Sequence, residues 1–166
     1  VSENYGILNG YDYTKWLDFE NDLMTQISFY GRAKNSLTGD DIRVSERLHL
    51  PRKKLKGFLS RAIGPVDGKE YVGGNYSAAI NFSSTIPMIF QSLETVDLKF
   101  FIDTANLWAV DYRNNNDDPN KIRSSSGIAV DWFTPIGPLN FSVAQPITKV
   151  STDKTETFQF NLGTTF

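Results

Sequence analysis

The chain has 166 residues, with 17 Lys and Arg against 19 Asp and Glu, a formal net charge of −2 and no cysteine. The missing cysteines exclude disulfide scaffolds, thiolate metal sites and cysteine nucleophiles, and the small net charge argues against a general polyanion binder. No stretch approaches the roughly 20 apolar residues that a membrane-spanning helix needs. Two classes remain: a soluble protein, or a membrane protein whose strands carry apolar residues at alternate positions.

Alternation of apolar and polar residues predicts about seven β-strands and no convincing helix. In chain order, a less regular strand lies between Tyr5 and Phe19, and clearer strands cover 23–30, 76–83, 96–103, 127–132, 139–144 and 157–166. The last strand shows the pattern best. One of its faces carries Phe158, Phe160, Leu162 and Phe166, and the other carries Gln159, Asn161 and Gly163.

The connections between these strands alternate in length. A very long one runs from about 33 to 74, a shorter one covers 87–94, a long polar one covers 109–123, a tight one covers 134–138, and a polar one covers 148–156. In an up-and-down meander, alternate connections emerge at the same end of the sheet. Short turns at one end and long polar loops at the other are typical of an outer-membrane barrel.

A soluble all-β sandwich remains the alternative, because it could show the same alternation. Aromatic residues near the strand ends fit girdles at the membrane boundary or the core of such a sandwich. Seven strands do not make the usual even-numbered bacterial barrel, and the chain begins at Val1 without a visible signal peptide. We therefore expect a fragment of a longer protein, treated as one domain over residues 1–166.

Several motifs in this order and spacing resemble the C-terminal half of the barrel of the BamA family of outer-membrane-protein assembly factors. They are LKGF at 55–58, IGP at 63–65, GGN at 73–75, FFIDTANLW at 100–108, GIAVDWFTPIGPLNFSVAQPI at 127–147 and FQFNLGTTF at 158–166. Any one of these motifs alone is a weak signal. Their combination covers most of the chain.

The resemblance implies an antiparallel, up-and-down transmembrane β-barrel of about sixteen strands in the outer membrane of Gram-negative bacteria. It implies a protein that folds and inserts other β-barrel proteins through a lateral seam, with periplasmic POTRA domains that this chain lacks and periplasmic lipoprotein partners. It implies outer-membrane lipid and unfolded barrel proteins as partners, and no enzyme activity, cofactor, metal or nucleic acid. A two-partner secretion or TamA-type translocation barrel, a passive pore and a surface adhesin are the alternatives.

The long connection carries the first candidate site. In the family this loop folds back into the lumen, where the arginine of its motif meets acidic groups of the wall, one of them near the position of Ser83. Lys56 stands in the place of that arginine, and the parity of Asp103 puts it on the inner face as the partner. Gly57 would permit a tight turn, and Phe58 would pack against the wall. The competing interpretation places Lys56 in a solvated basic run with Arg52, Lys53, Lys54 and Arg61.

The closing strand is the second candidate site. Phe158, Phe160, Leu162 and Phe166 would face lipid, and Gly163 would suit a kink or weakened pairing. In the family this strand meets the first strand at a weak seam, where a client strand pairs by β-augmentation. The simpler interpretation is a closing strand with a sorting signal.

Other polar groups give no catalytic constellation. Asp117–Asp118 and Asp153–Glu156 are loop carboxylates, which we expect to be solvated, with weak calcium binding as the alternative. His49 is the only histidine and has no matching partner set. No P-loop, nucleophile elbow or dinucleotide fingerprint is present in the sequence.

Overall fold

A computed structural model of the protein describes residues 6–19, 23–37, 39–86, 95–110, 116–117 and 120–163. Its strands, numbered in chain order, are β1 (Gly6–Phe19), β2 (Leu23–Ser36), β3 (Val66–Asp67), β4 (Glu70–Tyr71), β5 (Tyr76–Thr85), β6 (Val96–Trp108), β7 (Asn116–Asp117), β8 (Arg123–Thr134), β9 (Gly137–Thr148) and β10 (Phe158–Leu162). Two short 3-10 turns, Val44–Glu46 and Arg52–Lys54, lie in the connection between β2 and β5. Within the described ranges, no helix is long and apolar enough to cross a membrane.

Seven of these strands form one antiparallel sheet in the order β1-β2-β5-β6-β8-β9-β10. Each of them pairs with the one before it along the chain, so the sheet is an up-and-down meander. The predicted all-β, antiparallel fold is therefore confirmed. The sheet is open in the described part of this chain, with β1 and β10 at its two edges. The short strands β4, β3 and β7 form a second, small sheet in the connections.

The strand ends differ from the predicted ones in two places that affect the site. β2 continues to Ser36, so the long connection begins later than position 33. β10 ends at Leu162, and the next residue, Gly163, adopts φ +113°, far from the negative φ of a regular strand. Phe166 lies outside the described residues.

The outer face of the sheet is apolar and the inner face is polar, which is the reverse of a sheet in a soluble protein. On the outer face, Val143 is 54% exposed and Ile128 is 47% exposed. On the inner face, Asp103 and Ser125 are 0% exposed and Ser142 is 1% exposed. A water-soluble sandwich would bury the apolar side chains and expose the polar ones. The soluble alternative is therefore wrong, since an apolar outer face with a polar inner face suits a wall between lipid and a polar lumen.

The outward direction of Val143 makes a testable prediction. Val143→Arg would place a guanidinium against the acyl chains, and we expect it to lower the free energy of unfolding in lipid by about 2–4 kcal/mol. The matched control is Ser83→Arg, because Ser83 faces an open cavity of about 340 Å³ on the inner side. Urea titration in liposomes measures both variants. Equal effects of the two substitutions would contradict the assignment of the faces.

The inner face is covered by the connection between β2 and β5, which we call the lumen loop (residues 37–75). Leu50, Leu55, Phe58 and Ile63 of this loop pack on Ala79 of β5 and Ala105 of β6 in one buried cluster. Alanine on the wall leaves room for the bulkier loop side chains. The loop can therefore lie directly on the sheet at close packing density.

Candidate functional site in the lumen loop and closing strand

Lys56 and Asp103 lie in direct contact. Lys56 Nζ is 3.0 Å from Asp103 Oδ2, and the backbone N–H of Lys56 donates to the same oxygen at 3.0 Å. The Lys56 ammonium also lies over the ring of Phe101, 4.2 Å from its centroid. Because the Asp103 side chain is fully buried, these donors replace the water that an ionised carboxylate would otherwise need.

Asn81 supplies a further contact to Asp103 and was not among the predicted site residues. The strand register places Asn81 of β5 directly opposite Asp103 of β6. Its Nδ2 donates to Asp103 Oδ1 at 2.8 Å and to the carbonyl of Lys54 at 2.8 Å. The neutral amide of Asn81 thus joins the wall to the loop. Ser83, near whose position the family carries an acid, lies opposite Phe101 instead. The inward parity of Asn81 was visible in the sequence, but its pairing with Asp103 was not.

The two residues after Lys56 complete the docked turn. Gly57 has φ +86°, and a Cβ there would lie 3.0 Å from the Ala144 Cβ, so both the backbone and the space favour glycine. Ser125 Oγ of β8 donates to the carbonyl of Lys56 at 2.5 Å. Phe58 is 2% exposed within the cluster under the loop. The four loop and wall residues predicted as one site, Lys56, Gly57, Phe58 and Asp103, are thus neighbours in the structure.

The basic run is not a freely solvated one. Lys54 Nζ donates to Ser28 Oγ at 3.1 Å and lies 5.4 Å from the centroid of the Tyr30 ring. Arg52 Nη2 lies 2.6 Å from Glu156 Oε2. Lys53 and Arg61 are exposed. Lys54 is therefore held by the wall and Arg52 by the connection before β10, and the interpretation as a uniformly solvated run is wrong.

The expectation that Asp153 is a solvated loop carboxylate is also wrong. Arg123 at the beginning of β8 forms a two-pronged ion pair with it, Nε to Oδ2 at 3.0 Å and Nη2 to Oδ1 at 3.1 Å. Both side chains are 0% exposed. Arg123 Nη1 also donates to Asn106 Oδ1 at 2.8 Å, and the backbone N–H of Val150 donates to Asp153 at 2.7 Å. The fork geometry of arginine fills both carboxylate oxygens, which makes a buried charge tolerable.

Asp153 lies in the connection between β9 and β10, which we call the final connection (residues 149–157). The lumen loop contacts it from the other side, because the Tyr71 hydroxyl donates to the carbonyl of Thr152. Burial, and secondly the charge of Asp153, raise the pKa of Tyr71, so this hydroxyl keeps its proton as a donor. Within the described ranges, no group of three His, Cys, Asp or Glu side chains could hold a metal ion.

The Arg52–Glu156 ion pair allows the contact between the lumen loop and the final connection to be tested by charge reversal. Both side chains are about one-third exposed, so we expect Glu156→Arg to cost at most about 1 kcal/mol of unfolding free energy. The exchanged pair Arg52→Glu with Glu156→Arg is expected to recover most of that loss. A double-mutant cycle in urea measures the coupling between the two positions. Additive effects of the two substitutions would show that the pair contributes nothing.

The closing strand presents its two faces as the parity requires. Phe158, Phe160 and Leu162 are exposed on the outer face, whereas Gln159 is 2% exposed on the inner face. The backbone N–H of Gly163 donates to the carbonyl of Pro138 at 3.1 Å, just beyond the end of β10. β10 pairs with β9 along one edge, and no described strand pairs with its other edge. That edge carries the backbone groups to which a further strand could bind.

These features define a class of protein, an outer-membrane β-barrel wall whose lumen holds a docked loop. The family model described as "Omp85 superfamily domain" matches residues 9–166. The chain belongs to the Omp85 superfamily. The outer-membrane location expected from the alternating strands is confirmed by this membership and by the relatives below.

Two curated relatives and one solved structure are similar to the chain. It is 30% identical to "Outer membrane protein assembly factor BamA" of Neisseria meningitidis serogroup B, over 97% of this chain and 21% of that protein. It is 28% identical to the protein of the same name from Neorickettsia risticii, over 84% of this chain and 19% of that protein. The crystal structure of BamA from Haemophilus ducreyi lacking POTRA domains 1-3 superposes with a TM-score of 0.78 at 25% identity, covering 95% of this chain and 34% of that one. The chain thus spans about a fifth of the length of these curated relatives.

Proposed function

We propose that this chain is the C-terminal part of the barrel of an outer-membrane protein assembly factor, which folds and inserts other β-barrel proteins and is not an enzyme. The names of the similar proteins support this role. The observation that carries it is the docking of the lumen loop on the wall through Lys56 and Asp103. The docked loop also contacts the segment just before β10, so it gives the wall beside the proposed seam a defined structure, as an assembly factor requires.

The proposed site has two parts. Lys56, Gly57, Phe58 and Asp103 hold the lumen loop against the inner wall. Phe158, Phe160 and Leu162 of β10, with Gly163 directly after it, are assigned to the closing strand at the seam, and Phe166, outside the described residues, is proposed as its last member. The free edge of β10 supports this role, because an incoming strand can satisfy its backbone groups by β-augmentation. Unfolded outer-membrane barrel proteins are the proposed clients, and periplasmic lipoproteins that bind POTRA domains are the proposed partners.

Reconstitution tests this function. The full-length protein is placed in liposomes, a urea-denatured eight-stranded barrel is added as client, and its folding is followed by the heat-dependent shift in electrophoretic mobility. We expect faster client folding than in empty liposomes of the same lipid. An unchanged folding rate would contradict the proposal. Delivery of a soluble client across the bilayer, measured by protection from added protease, would favour a secretion or TamA-type translocation barrel instead.

A further inference from the structure

The lumen loop and the final connection are joined by backbone hydrogen bonds. The N–H of Leu59 donates to the carbonyl of Lys154 at 2.9 Å, that of Lys154 to Ala62 at 3.0 Å, and that of Glu156 to Gly57 at 3.0 Å. Phe58 and Thr155 form an isolated antiparallel bridge at the centre of this contact. The loop therefore binds the segment immediately before β10 as a short paired strand.

A side chain of β10 itself extends this contact into the closing strand. Gln159 Nε2 donates to the carbonyl of Phe58 at 3.1 Å, and both residues are 2% exposed. The adjacent outward residues, Phe158 and Phe160, are 55% and 45% exposed. Gln159 is thus the side chain of β10 that lies buried against the loop while its neighbours face outward.

The short distance along the chain between Glu156 and Gln159 makes the register of β10 depend on the lumen loop. Only Thr157 and Phe158 separate Gln159 from Glu156, which is itself bonded to Gly57. A strand advances about 3.3 Å per residue, so a slip of β10 by two residues would move the amide of Gln159 about 6.6 Å from the Phe58 carbonyl. β10 contributes only five residues to its pairing with β9, so one further buried hydrogen bond is a large part of its attachment.

We propose that Gln159 is a positioning residue that couples the lumen loop to the closing strand, so that β10 keeps its register while the loop is docked and gains freedom when the loop loosens. This inference rests on the proposed function, in which the free edge of β10 takes part in assembly. It assigns the docked loop a regulatory part in that step. Because coupling between two elements is reciprocal, loosening either one must loosen the other.

Hydrogen exchange on the folded full-length protein in liposomes, without client, tests the coupling. Gln159→Met keeps the length of the side chain but removes the donor. We expect about fivefold faster exchange in β10 and also at the amides of Leu59 and Lys154, which Gln159 does not itself bind. The matched control is Asn161→Leu, the next inward position of β10, whose side chain makes no hydrogen bond among the described residues. It is expected to leave the exchange of Leu59 and Lys154 unchanged.

Faster exchange confined to β10 would overturn the proposal, because Gln159 would then stabilise only its own strand. Unchanged exchange in both places would overturn it as well. If Gln159→Met does not fold, Gln159→Glu, which also lacks the donor, is measured in the same way. If neither variant folds, Lys56→Glu tests the reciprocal direction, and unchanged exchange in β10 would overturn the coupling. These measurements need no client, so they are independent of whether the wild-type protein accelerates client folding.

Discussion

Replacing Arg123 with methionine is expected to lower the free energy of unfolding by about 3–5 kcal/mol. The substitution leaves the carboxylate of Asp153 buried and without its two-pronged partner. The cost arises from that unpaired charge and not from the attraction that is lost. Urea titration of the barrel in liposomes, read by tryptophan fluorescence, measures the change.

Two control variants separate this cause from a general loss of packing. The double variant Arg123→Met with Asp153→Leu removes both charges and is expected to be markedly more stable than the single one. Lys99→Met breaks a comparable pair with Asp131 whose side chains are 23% and 21% exposed, and is expected to cost about 1 kcal/mol or less. A double variant as unstable as Arg123→Met would contradict the explanation.

Lys56→Glu is expected to release the lumen loop from the wall. The new carboxylate would lie beside the fully buried carboxylate of Asp103. Asp103 would lose its ammonium partner and would be repelled by the second negative charge. We expect a loss of docking free energy on the order of 3 kcal/mol, which corresponds to roughly a hundredfold larger undocked fraction. In the full-length protein we expect client folding in liposomes to slow as well.

The basic run of the loop provides a direct measurement. Arg52 and Lys54 are trypsin sites that the docked conformation holds by hydrogen bonds, Arg52 to Glu156 and Lys54 to Ser28. Lys56→Glu should therefore speed tryptic cleavage of the loop in the folded barrel. Lys53→Glu makes the same charge change at an exposed neighbour and is expected to leave the remaining sites protected. Lys56→Arg, which keeps the charge, is expected to stay docked. Equal cleavage of Lys56→Glu and wild type would contradict the internal lock.

The strands were predictable because their signal is local. Alternation at period two follows from the pleat, so Asp103 was assigned to the inner face and Val143 to the outer face from sequence alone. The docked loop was expected only through the resemblance of its LKGF motif and neighbouring segments to a known family. The composition of the loop did not predict docking, because its basic run is equally consistent with a solvent-exposed loop.

The polar final connection contains a buried ion pair that could not be predicted from neighbouring residues. Asp153 lies among lysines, threonines and serines, which is the composition of an exposed loop. Its partner Arg123 is 30 positions away at the beginning of β8, and both side chains are fully buried in the folded protein. The contact of Asn81 was not predicted for the same reason, because it depends on the strand register that places Asn81 opposite Asp103.

By itself, the sequence indicated the seven strands of the main sheet, the two faces of the six regular ones and the resemblance to an outer-membrane family, because hydrophobic periodicity and motifs are carried by neighbouring residues; it did not indicate the short strands β3, β4 and β7. The tertiary structure alone decided which polar groups meet: Arg123 with Asp153, Asn81 with Asp103, and Gln159 with the carbonyl of Phe58, 101 positions away. Such contacts depend on register and on the path of a long loop. Those are properties of the whole sheet, which no single segment encodes.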